Sequence, residues 1–412
     1  MNRPTPFALP ETLTLWYLGQ PTQPVLVGEL NLVMSARGVS LRYCPAWLHA
    51  GFPLSEDLPL VDIEHFPREK DTAAGAVDDA RPDRWGERVI RMLERPPRLS
   101  VLDYLFFAGD DRFGALGVSL SRDAYVPWRI GPLPTLPDVD AIHEVVRRVL
   151  AGESVDERSR RLIAPGVTMG GARPKALIRI DDAEWILKFA EGDHSDEPLI
   201  EHATLTLAAK AGIEVASTQP IRLANGMALA VRRFDRVGDG TRRHALSANV
   251  ALKAAGVEMS YPNLALLLRR KGVGENGLSR RQMRELFRRL VFNILLDNTD
   301  DHEKNHVLLV SDAQQLVLSP AFDVLPSGQS LGYQAMIVGE KGAESSIDNA
   351  LSACRHYWLS RQEAVDEAKA VARVVETWYA HFKLSALGSA TLDELTACID
   401  RPALIEQRRT LL

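Results

Sequence analysis

The stretch Asn298-Thr299-Asp300-Asp301-His302-Glu303-Lys304-Asn305-His306 gathers acids, histidines, amides and a lysine in one short segment. Residues 279–293 come before it and place apolar side chains at helical spacing, which predicts a buried helix opened by a capping box of Ser279 and Gln282. Residues 307–310 follow it and are apolar and β-branched at both ends, which predicts a strand. The sequence therefore predicts a polar loop held between a rigid helix and a rigid strand, as functional loops usually are.

Two kinds of chemistry fit this loop. The letters from His302 to His306 match the H-E-x-x-H pattern, in which two histidines on one helical face bind zinc and the glutamate acts as a base. That pattern needs a helix, and the helical periodicity stops near Leu296, so the sequence disfavours a zinc hydrolase without excluding it. The spacing from Asp300 to Asn305 instead matches the D-x-x-x-x-N loop of phosphoryl transfer, where the acid serves the acceptor hydroxyl and the amide binds Mg²⁺.

The composition is that of an ordinary globular chain, with 46% hydrophobic and 25% charged residues among 412 and a net charge of −5. This charge excludes a surface that is basic throughout, but it allows a local basic face. Residues 1–6 lack the apolar core of a signal peptide, and no apolar run is long enough to cross a membrane, so we expect no membrane association. Cys44, Cys354 and Cys398 are odd in number and far apart, which predicts reduced thiols and a cytoplasmic protein.

The sequence predicts an α+β fold in three parts. Short alternating runs separated by Gly and Pro predict a small antiparallel sheet in residues 1–130. A proline-rich segment at 131–137 marks a boundary. Residues 131–236 are predicted to hold a glycine loop and a β-hairpin, and residues 237–412 are predicted to be mainly helical around the polar loop.

Several features occur in the order that a protein-kinase-like phosphotransferase needs. Taken alone, each has an ordinary explanation, such as a tight turn, a solvated lysine, an acid at a helix start or a turn acid. Asp301 in particular is expected to be a solvated neighbour of Asp300. It is the shared order that favours phosphoryl transfer. Along the chain the features are the glycine loop at 165–175, Lys188 on a strand, Glu201 near a helix start, the loop from Asp300 to Asn305, and Asp323 in an apolar turn.

At these residues the sequence resembles the HipA family of serine/threonine kinases, the toxin halves of bacterial type II toxin–antitoxin modules. The resemblance covers nearly the whole chain and is more specific than any single motif. It implies a protein-kinase-like core behind a small N-terminal β subdomain. The stretches that carry it are Pro82-Asp83-Arg84-Trp85-Gly86, Gly109-Asp110-Asp111-Arg112-Phe113-Gly114-Ala115-Leu116, Gly170-Gly171-Ala172-Arg173-Pro174-Lys175, Ala230-Val231-Arg232-Arg233-Phe234-Asp235-Arg236 and the opening loop.

The resemblance also implies a role for each matching residue. Asp300 would accept the proton of the acceptor hydroxyl, and Asn305 with Asp323 would bind Mg²⁺. Glu201 would position Lys188. The ATP contacts would come from Gly170, Gly171, Ala172, Arg173, Pro174, Lys175, Lys188, Arg232, Arg233, Phe234, His302, Glu303, Lys304, Asn305, Phe322 and Asp323.

Two positions depart from the family pattern. Thr168 stands where family members carry a serine whose autophosphorylation ejects the glycine loop, so Thr168 is the candidate autophosphorylation site. Arg232 stands in the hinge where an acid can occur. Adenine would then be read by main-chain groups of the hinge.

The resemblance implies a growth-inhibiting kinase that phosphorylates a component of translation, such as an aminoacyl-tRNA synthetase. Its partner would be a small helix-turn-helix antitoxin that binds operator DNA, and this chain would touch DNA only weakly or through that partner. An alternative is a nucleotide-binding but catalytically silent co-repressor of the same antitoxin. The zinc hydrolase is a third hypothesis.

Overall fold

The computed structural model describes residues 9–128, 131–163, 165–166, 171–192, 196–238 and 240–412. The chain forms two compact units, one of Met1–Phe189 with Arg232–Leu246 and the other of Ala190–Val231 with Ser247–Leu412. The division into three functional parts stays a prediction.

Strands dominate the start of the chain and helices dominate its end. The strands are β1 Thr12–Tyr17, β2 Val25–Val33, β3 Gly38–Tyr43, β4 Glu64–His65, β5 Leu116–Ser119, β6 Lys175–Ile180, β7 Ala183–Phe189, β8 Thr218–Arg222, β9 Met227–Arg232, β10 Ala245–Ser247, β11 Val307–Val310 and β12 Leu316–Leu318. The helices are α1 Pro45–Ala50, α2 Arg84–Leu93, α3 Val101–Phe107, α4 Val139–Ala151, α5 Glu157–Arg160, α6 Glu197–Lys210, α7 Ala248–Ala255, α8 Tyr261–Lys271, α9 Leu278–Leu295, α10 Ile347–Ser352, α11 Arg361–Val375, α12 Trp378–Lys383, α13 Ser389–Ile399 and α14 Pro402–Leu411.

The first unit contains the antiparallel sheet that the N-terminal alternation predicts. Its strand order is β4-β3-β2-β1-β5, and each pair of neighbouring strands is antiparallel. Leu13, Leu15 and Leu30 are almost fully buried, as expected for apolar residues that alternate along half-buried strands. The sheet packs against α3, which in turn packs against α2. Ser100 caps the first turn of α3 and Asp83 that of α2.

The hairpin of β6 and β7 also lies in the first unit and has the predicted turn. Its register pairs Lys175 with Lys188 and Leu177 with Ile186. Residues that pair directly across antiparallel strands point to the same face, so these four side chains share one face of the hairpin. The stacked rings of His143 and Phe189 pack α4 against the hairpin, with ring centres 5.4 Å apart.

The second unit is built around α9, which extends the predicted helix by one or two residues at each end. The predicted capping box is wrong. Gly277 precedes the helix in a left-handed conformation with φ 68°, and the Ser279 hydroxyl donates to the Leu268 carbonyl at 2.7 Å. The Gln282 side chain lies in the core and accepts a hydrogen bond from the main-chain N–H of Leu318 at 3.1 Å. A tertiary contact therefore replaced the local cap that the spacing suggested.

The hairpins β8–β9 and β11–β12 complete the sheet structure of the second unit. Cys44, Cys354 and Cys398 are all buried free thiols, in agreement with the sequence prediction. Within the described ranges, no helix is long and apolar enough to cross a membrane.

Candidate active site

Of the glycine loop at 165–175, residues 165–166 and 171–175 are described, and the predicted residues Thr168 and Gly170 lie outside the described residues. Gly171 has φ 66°, a conformation that favours glycine. The Lys175 ammonium group donates to the Gly171 carbonyl at 2.5 Å and pairs with the Asp83 carboxylate. Lys175 is fully buried, so its side chain stabilises the loop, and a contact with phosphate would require this pairing to open.

Residues Pro82 to Gly86 contact Lys175, where the glycine loop meets β6. The Asp83 side chain caps α2 by accepting from the Gly86 N–H at 2.9 Å, while its other oxygen meets Lys175. The indole N–H of Trp85 donates to the Lys175 carbonyl at 2.8 Å. At Gly86 a Cβ would lie 2.1 Å from the Pro165 carbonyl oxygen, so only glycine allows this approach. The sequence showed this motif as part of the resemblance but gave it no role.

The stretch from Gly109 to Leu116 contacts both the glycine-loop segment and the predicted hinge. A Cβ at Gly166 would lie 2.5 Å from the Ala108 carbonyl oxygen, so the backbones nearly touch. The Arg233 guanidinium donates to the carbonyls of Asp111 and Arg112, each at 3.0 Å. Main-chain carbonyls of one N-terminal turn thus fix the hinge arginine.

The hinge carries a buried charge cluster. Arg233 makes two hydrogen bonds to Asp235, at 3.0 and 2.7 Å, and Asp235 also accepts the Gly114 N–H at 2.9 Å. Burial alone would raise the pKa of Asp235, but Arg233 and Arg236 outweigh it and hold that pKa far below its ordinary value. Burial lowers the pKa of Arg236 to about 10. Burying a charge costs free energy unless the charge is paired. These paired charges therefore stabilise the observed conformation of the hinge.

The buried charge cluster limits how the hinge can bind a nucleotide. The Arg233 side chain is only 4% exposed, and its main-chain N–H already donates to the Glu184 carbonyl at 3.0 Å. Arg232 is exposed, and the ring of Phe234 packs edge-on against Phe113 with centres 6.2 Å apart. Arg233 can therefore reach a ligand only through its carbonyl.

Lys188 and Glu201 are both buried, at 3% and 2% exposure. Burial of a strand lysine and a helix glutamate is unusual unless each has a partner, which is consistent with functional roles. Their mutual ion pair stays a prediction, because the two residues belong to different units.

The predicted catalytic loop leaves α9 and ends in a 3₁₀ turn at Glu303–Asn305. Asp300 is exposed, whereas Asn305 is only 6% exposed. His302 precedes the turn, and its Nδ1 accepts from the Lys304 N–H at 3.3 Å. The loop thus offers one carboxylate to solvent from an otherwise fixed backbone, as a proton acceptor for a protein hydroxyl requires.

The prediction that Asp301 is a solvated neighbour is wrong, since its side chain is buried. Its carboxylate accepts from the Asn293 amide and from His306 Nε2, each at 2.8 Å, and from the Tyr261 hydroxyl. Burial alone would raise the pKa of Asp301, but His306 and the hydrogen bonds hold it below the ordinary value. The hydrogen bonds of Asp301 therefore hold the loop against α8, α9 and the start of β11. Because Asp300 is the adjacent residue, these bonds also fix its position.

The zinc pattern is not realised as a shared helical face. His302 caps a 3₁₀ turn, while His306 lies just before β11 and is bound to Asp301. The described residues contain no cluster of His, Cys, Asp or Glu that could hold a metal ion through three or more side chains. The strand predicted for residues 307–310 is present as β11, and His306 lies just before it.

Asp323 lies in a turn that is tied to the catalytic loop. It has φ 58°, a conformation uncommon for residues other than glycine and found preferentially at functional sites. The Ser327 main-chain N–H and hydroxyl both donate to the Asp297 carbonyl at 2.9 Å, and the hydroxyls of Ser327 and Thr299 lie 2.6 Å apart. Ser327, four residues after Asp323, therefore joins this turn to the start of the predicted catalytic loop.

Asn305 and Asp323 have the side-chain chemistry of Mg²⁺ ligands, and their binding of the ion stays a prediction. Asn305 and Phe322, the neighbour of Asp323, line the same small cavity of about 10 Å³. An amide oxygen and a carboxylate are the hard oxygen ligands that Mg²⁺ prefers, and it commonly keeps several waters besides one or two protein ligands.

Sequence reasoning missed Asp297, which is fully buried in a left-handed conformation with φ 59°. Its carboxylate accepts from Arg401 at 2.6 Å and lies 3.4 Å from the Cys398 sulfur. Burial and the Asp297 charge raise the pKa of Cys398 to about 12. The only available signal was an acid directly after an apolar helix, which commonly marks an ordinary turn.

Comparisons with known proteins identify the family and the fold. The family model described as the HipA-like C-terminal domain matches residues 167–379. The Sinorhizobium fredii protein Y4dM, a candidate kinase by name, is 26% identical over 316 residues that cover 71% of this chain and 73% of that protein. HipA from Shewanella oneidensis, solved in a toxin–antitoxin complex with HipB and operator DNA, superposes with a TM-score of 0.68 at 19% identity over 97% of both chains. The predicted α+β, kinase-like fold is confirmed.

Proposed function

The chain belongs to the HipA family, and we propose that it is an ATP- and Mg²⁺-dependent protein serine/threonine kinase. One observation carries this proposal. Asp300 is exposed on a loop whose neighbours Asp301 and Asn305 are buried and fixed, which presents one carboxylate for an acceptor hydroxyl. General bases must be held within hydrogen-bonding reach of the proton that they take.

The chain's own residues have distinct tasks in this mechanism. Asp300 orients the substrate hydroxyl and accepts its proton as the oxygen attacks the γ-phosphoryl group. Asn305 and Asp323 would hold Mg²⁺. When bound, the ion neutralises charge that develops on the phosphate oxygens. Lys188 and the amides of the glycine loop would bind phosphates, and the hinge would contact adenine through its main chain.

The direct test compares phosphate transfer from labelled ATP to bacterial lysate proteins by the wild type and by Asp300→Asn. Loss of the base should lower transfer by about 10² to 10⁴-fold. Asp312→Asn, an exposed acid in a turn of the same unit, makes the same charge change and should keep full activity. Equal transfer by the wild type and Asp300→Asn would refute the assignment, whereas no transfer by the wild type together with retained DNA co-repression would favour a silent co-repressor.

We further propose that the substrate is a component of translation, such as an aminoacyl-tRNA synthetase, and that the partner is a small helix-turn-helix antitoxin. The Shewanella oneidensis relative was solved with the antitoxin HipB and operator DNA, which supports a partner of that class. The kinase would then be a cytoplasmic, growth-inhibiting toxin that touches DNA weakly or through the antitoxin. Phosphoproteomics after induced expression, with Asp300→Asn as control, identifies the substrate. Peptide mass spectrometry of the same samples tests autophosphorylation at Thr168.

A further inference from the structure

A cavity of about 610 Å³ opens in the first unit, and none of the predicted ATP-binding residues lines it. Apolar side chains form one part of its wall, including Phe107, Trp128 and Leu177. Charged side chains of both signs form the rest, including Asp111 and Arg160. A mostly apolar concavity with a few convergent polar groups is the usual form of a small-molecule site.

The acids in the wall differ in their hydrogen bonding. Asp110 is fully engaged, since it accepts from Arg242 and from the Tyr125 hydroxyl, each at 2.7 Å. The Asp111 carboxylate makes no hydrogen bond or ion pair with any residue in the described ranges. Burial and the adjacent Asp110 raise the pKa of Asp111 by more than the nearby charges of Arg233 and Arg236 lower it. A desolvated carboxylate of this kind is stabilised most by a cation that donates hydrogen bonds to it.

One of the two arginines in the wall, Arg160, is also incompletely paired. Arg160 ends the short helix α5, and its Nε is buried without a hydrogen-bond partner among the described residues. A buried guanidinium nitrogen without an acceptor costs free energy, which an incoming carboxylate would relieve. Asp111 would therefore pair with a positively charged group of a ligand, and Arg160 with a negatively charged group.

The aromatic wall favours a planar cation. Trp128 is held edge-on by Phe107, with ring centres 5.2 Å apart, and it packs against Phe106 at 5.5 Å. An indole face attracts cations, and a guanidinium both stacks on it and forms paired hydrogen bonds with a carboxylate.

We propose that this cavity binds a free guanidinium amino acid, with its guanidinium at Asp111 and Trp128 and its carboxylate at Arg160. None of the residues assigned to ATP lines the cavity, so this binding does not depend on the proposed kinase activity. Ile163 and Pro165 also line the cavity.

Calorimetric titration of the full chain without ATP tests the site with L-arginine, L-citrulline and agmatine. Citrulline replaces the guanidinium with a neutral urea group, and agmatine lacks the carboxylate. We expect saturable binding of arginine, and binding of each analogue weaker by about tenfold, as expected when one charge-assisted hydrogen bond is lost. Absence of saturable arginine binding, or equal binding of arginine and citrulline, would overturn the proposal. These comparisons use the wild-type protein and need no variant.

Two variants test which residue binds the guanidinium of the ligand and which binds its carboxylate. Asp111→Asn should weaken arginine about tenfold and leave citrulline unchanged, whereas Arg160→Gln should weaken arginine and leave agmatine unchanged. Asp182→Asn, in the exposed turn of the β6–β7 hairpin, and Arg147→Gln, on the exposed face of α4, make the same charge changes and should bind arginine like the wild type. Unchanged arginine affinity in Asp111→Asn would refute the assigned orientation.

Discussion

The indole N–H of Trp85 donates a hydrogen bond of 2.8 Å to the main-chain carbonyl of Lys175, across 90 positions of sequence. Lys175 is the first residue of β6 and directly follows the glycine loop. The same lysine pairs with Asp83, the residue that caps α2. The start of α2 therefore fixes the strand end of the loop through both the main chain and the side chain of one residue.

Trp85→Phe should separate this hydrogen bond from the packing of the ring. The variant leaves the buried Lys175 carbonyl without its donor, which should lower the free energy of unfolding by about 1–3 kcal/mol. If the glycine loop binds phosphates, the KM for ATP should rise with little change in kcat. Trp358→Phe is the control, because Trp358 is 48% exposed. Equal KM values for the two variants would show that the contact does not position the loop.

Gly86→Ala tests the close approach of α2 to the segment before the glycine loop. The added Cβ would lie 2.1 Å from the Pro165 carbonyl oxygen, so the backbone has to shift, at a cost of about 1–3 kcal/mol. Helix propensity acts in the opposite direction by about 1 kcal/mol, so a net loss measures the clash. Gly238→Ala has no heavy atom within 4 Å of the new Cβ and should be neutral. Chemical denaturation of both variants gives the comparison.

Much of the fold and of the candidate site could be predicted because it depends on residues that are close together in the sequence. The polar loop, the hairpin of β6 and β7 and the strand β11 follow from periodicity and turn residues. The role of Asp301 could not be predicted, since it depends on Tyr261, 40 positions away. The wrong prediction of a capping box at Ser279 has the same cause. The sequence spacing predicts a hydrogen bond within the first turn of the helix, whereas the Ser279 hydroxyl bonds to Leu268 instead. Motifs located the site, whereas the contacts that fix its geometry join distant segments.

The buried network of Asp301 predicts a pH dependence of stability. Its pKa in the folded protein is below the ordinary value of 3.8. A lowered folded pKa means that the stabilisation is present above the unfolded pKa and is lost as pH falls through the folded pKa. We expect Asp301→Asn to lose about 3 kcal/mol at pH 7 and to show a shallower loss of stability than the wild type below about pH 4. Urea unfolding at several pH values measures both effects.

Asp312→Asn is the control for this pH series, since Asp312 is exposed in the turn before β12. It should reproduce the wild-type acid limb. If Asp301→Asn retains the wild-type slope below pH 4, other buried carboxylates, such as Asp235, dominate acid unfolding instead.

The ion pair between Asp297 and Arg401 predicts that the C-terminal helices support the catalytic loop. Asp297 is fully buried, and its carbonyl holds Ser327 while its carboxylate holds Arg401 at 2.6 Å. Arg401→Ala leaves a buried charge with one weak thiol partner, so the free energy of unfolding should fall by about 3 kcal/mol. Because the turn after Asp323 is attached at the same residue, kcat should fall more than the KM for ATP rises.

Two further variants separate positioning from global destabilisation. Arg401→Lys retains the charge but not the planar fork and should recover part of kcat. Arg409→Ala removes an exposed arginine from α14, the helix that Arg401 directly precedes, and should leave both stability and kcat unchanged. Assays well below the unfolding temperature of each variant keep the folded fraction constant. If kcat of Arg401→Ala matches the wild type under those conditions, the ion pair stabilises the unit without positioning the catalytic loop.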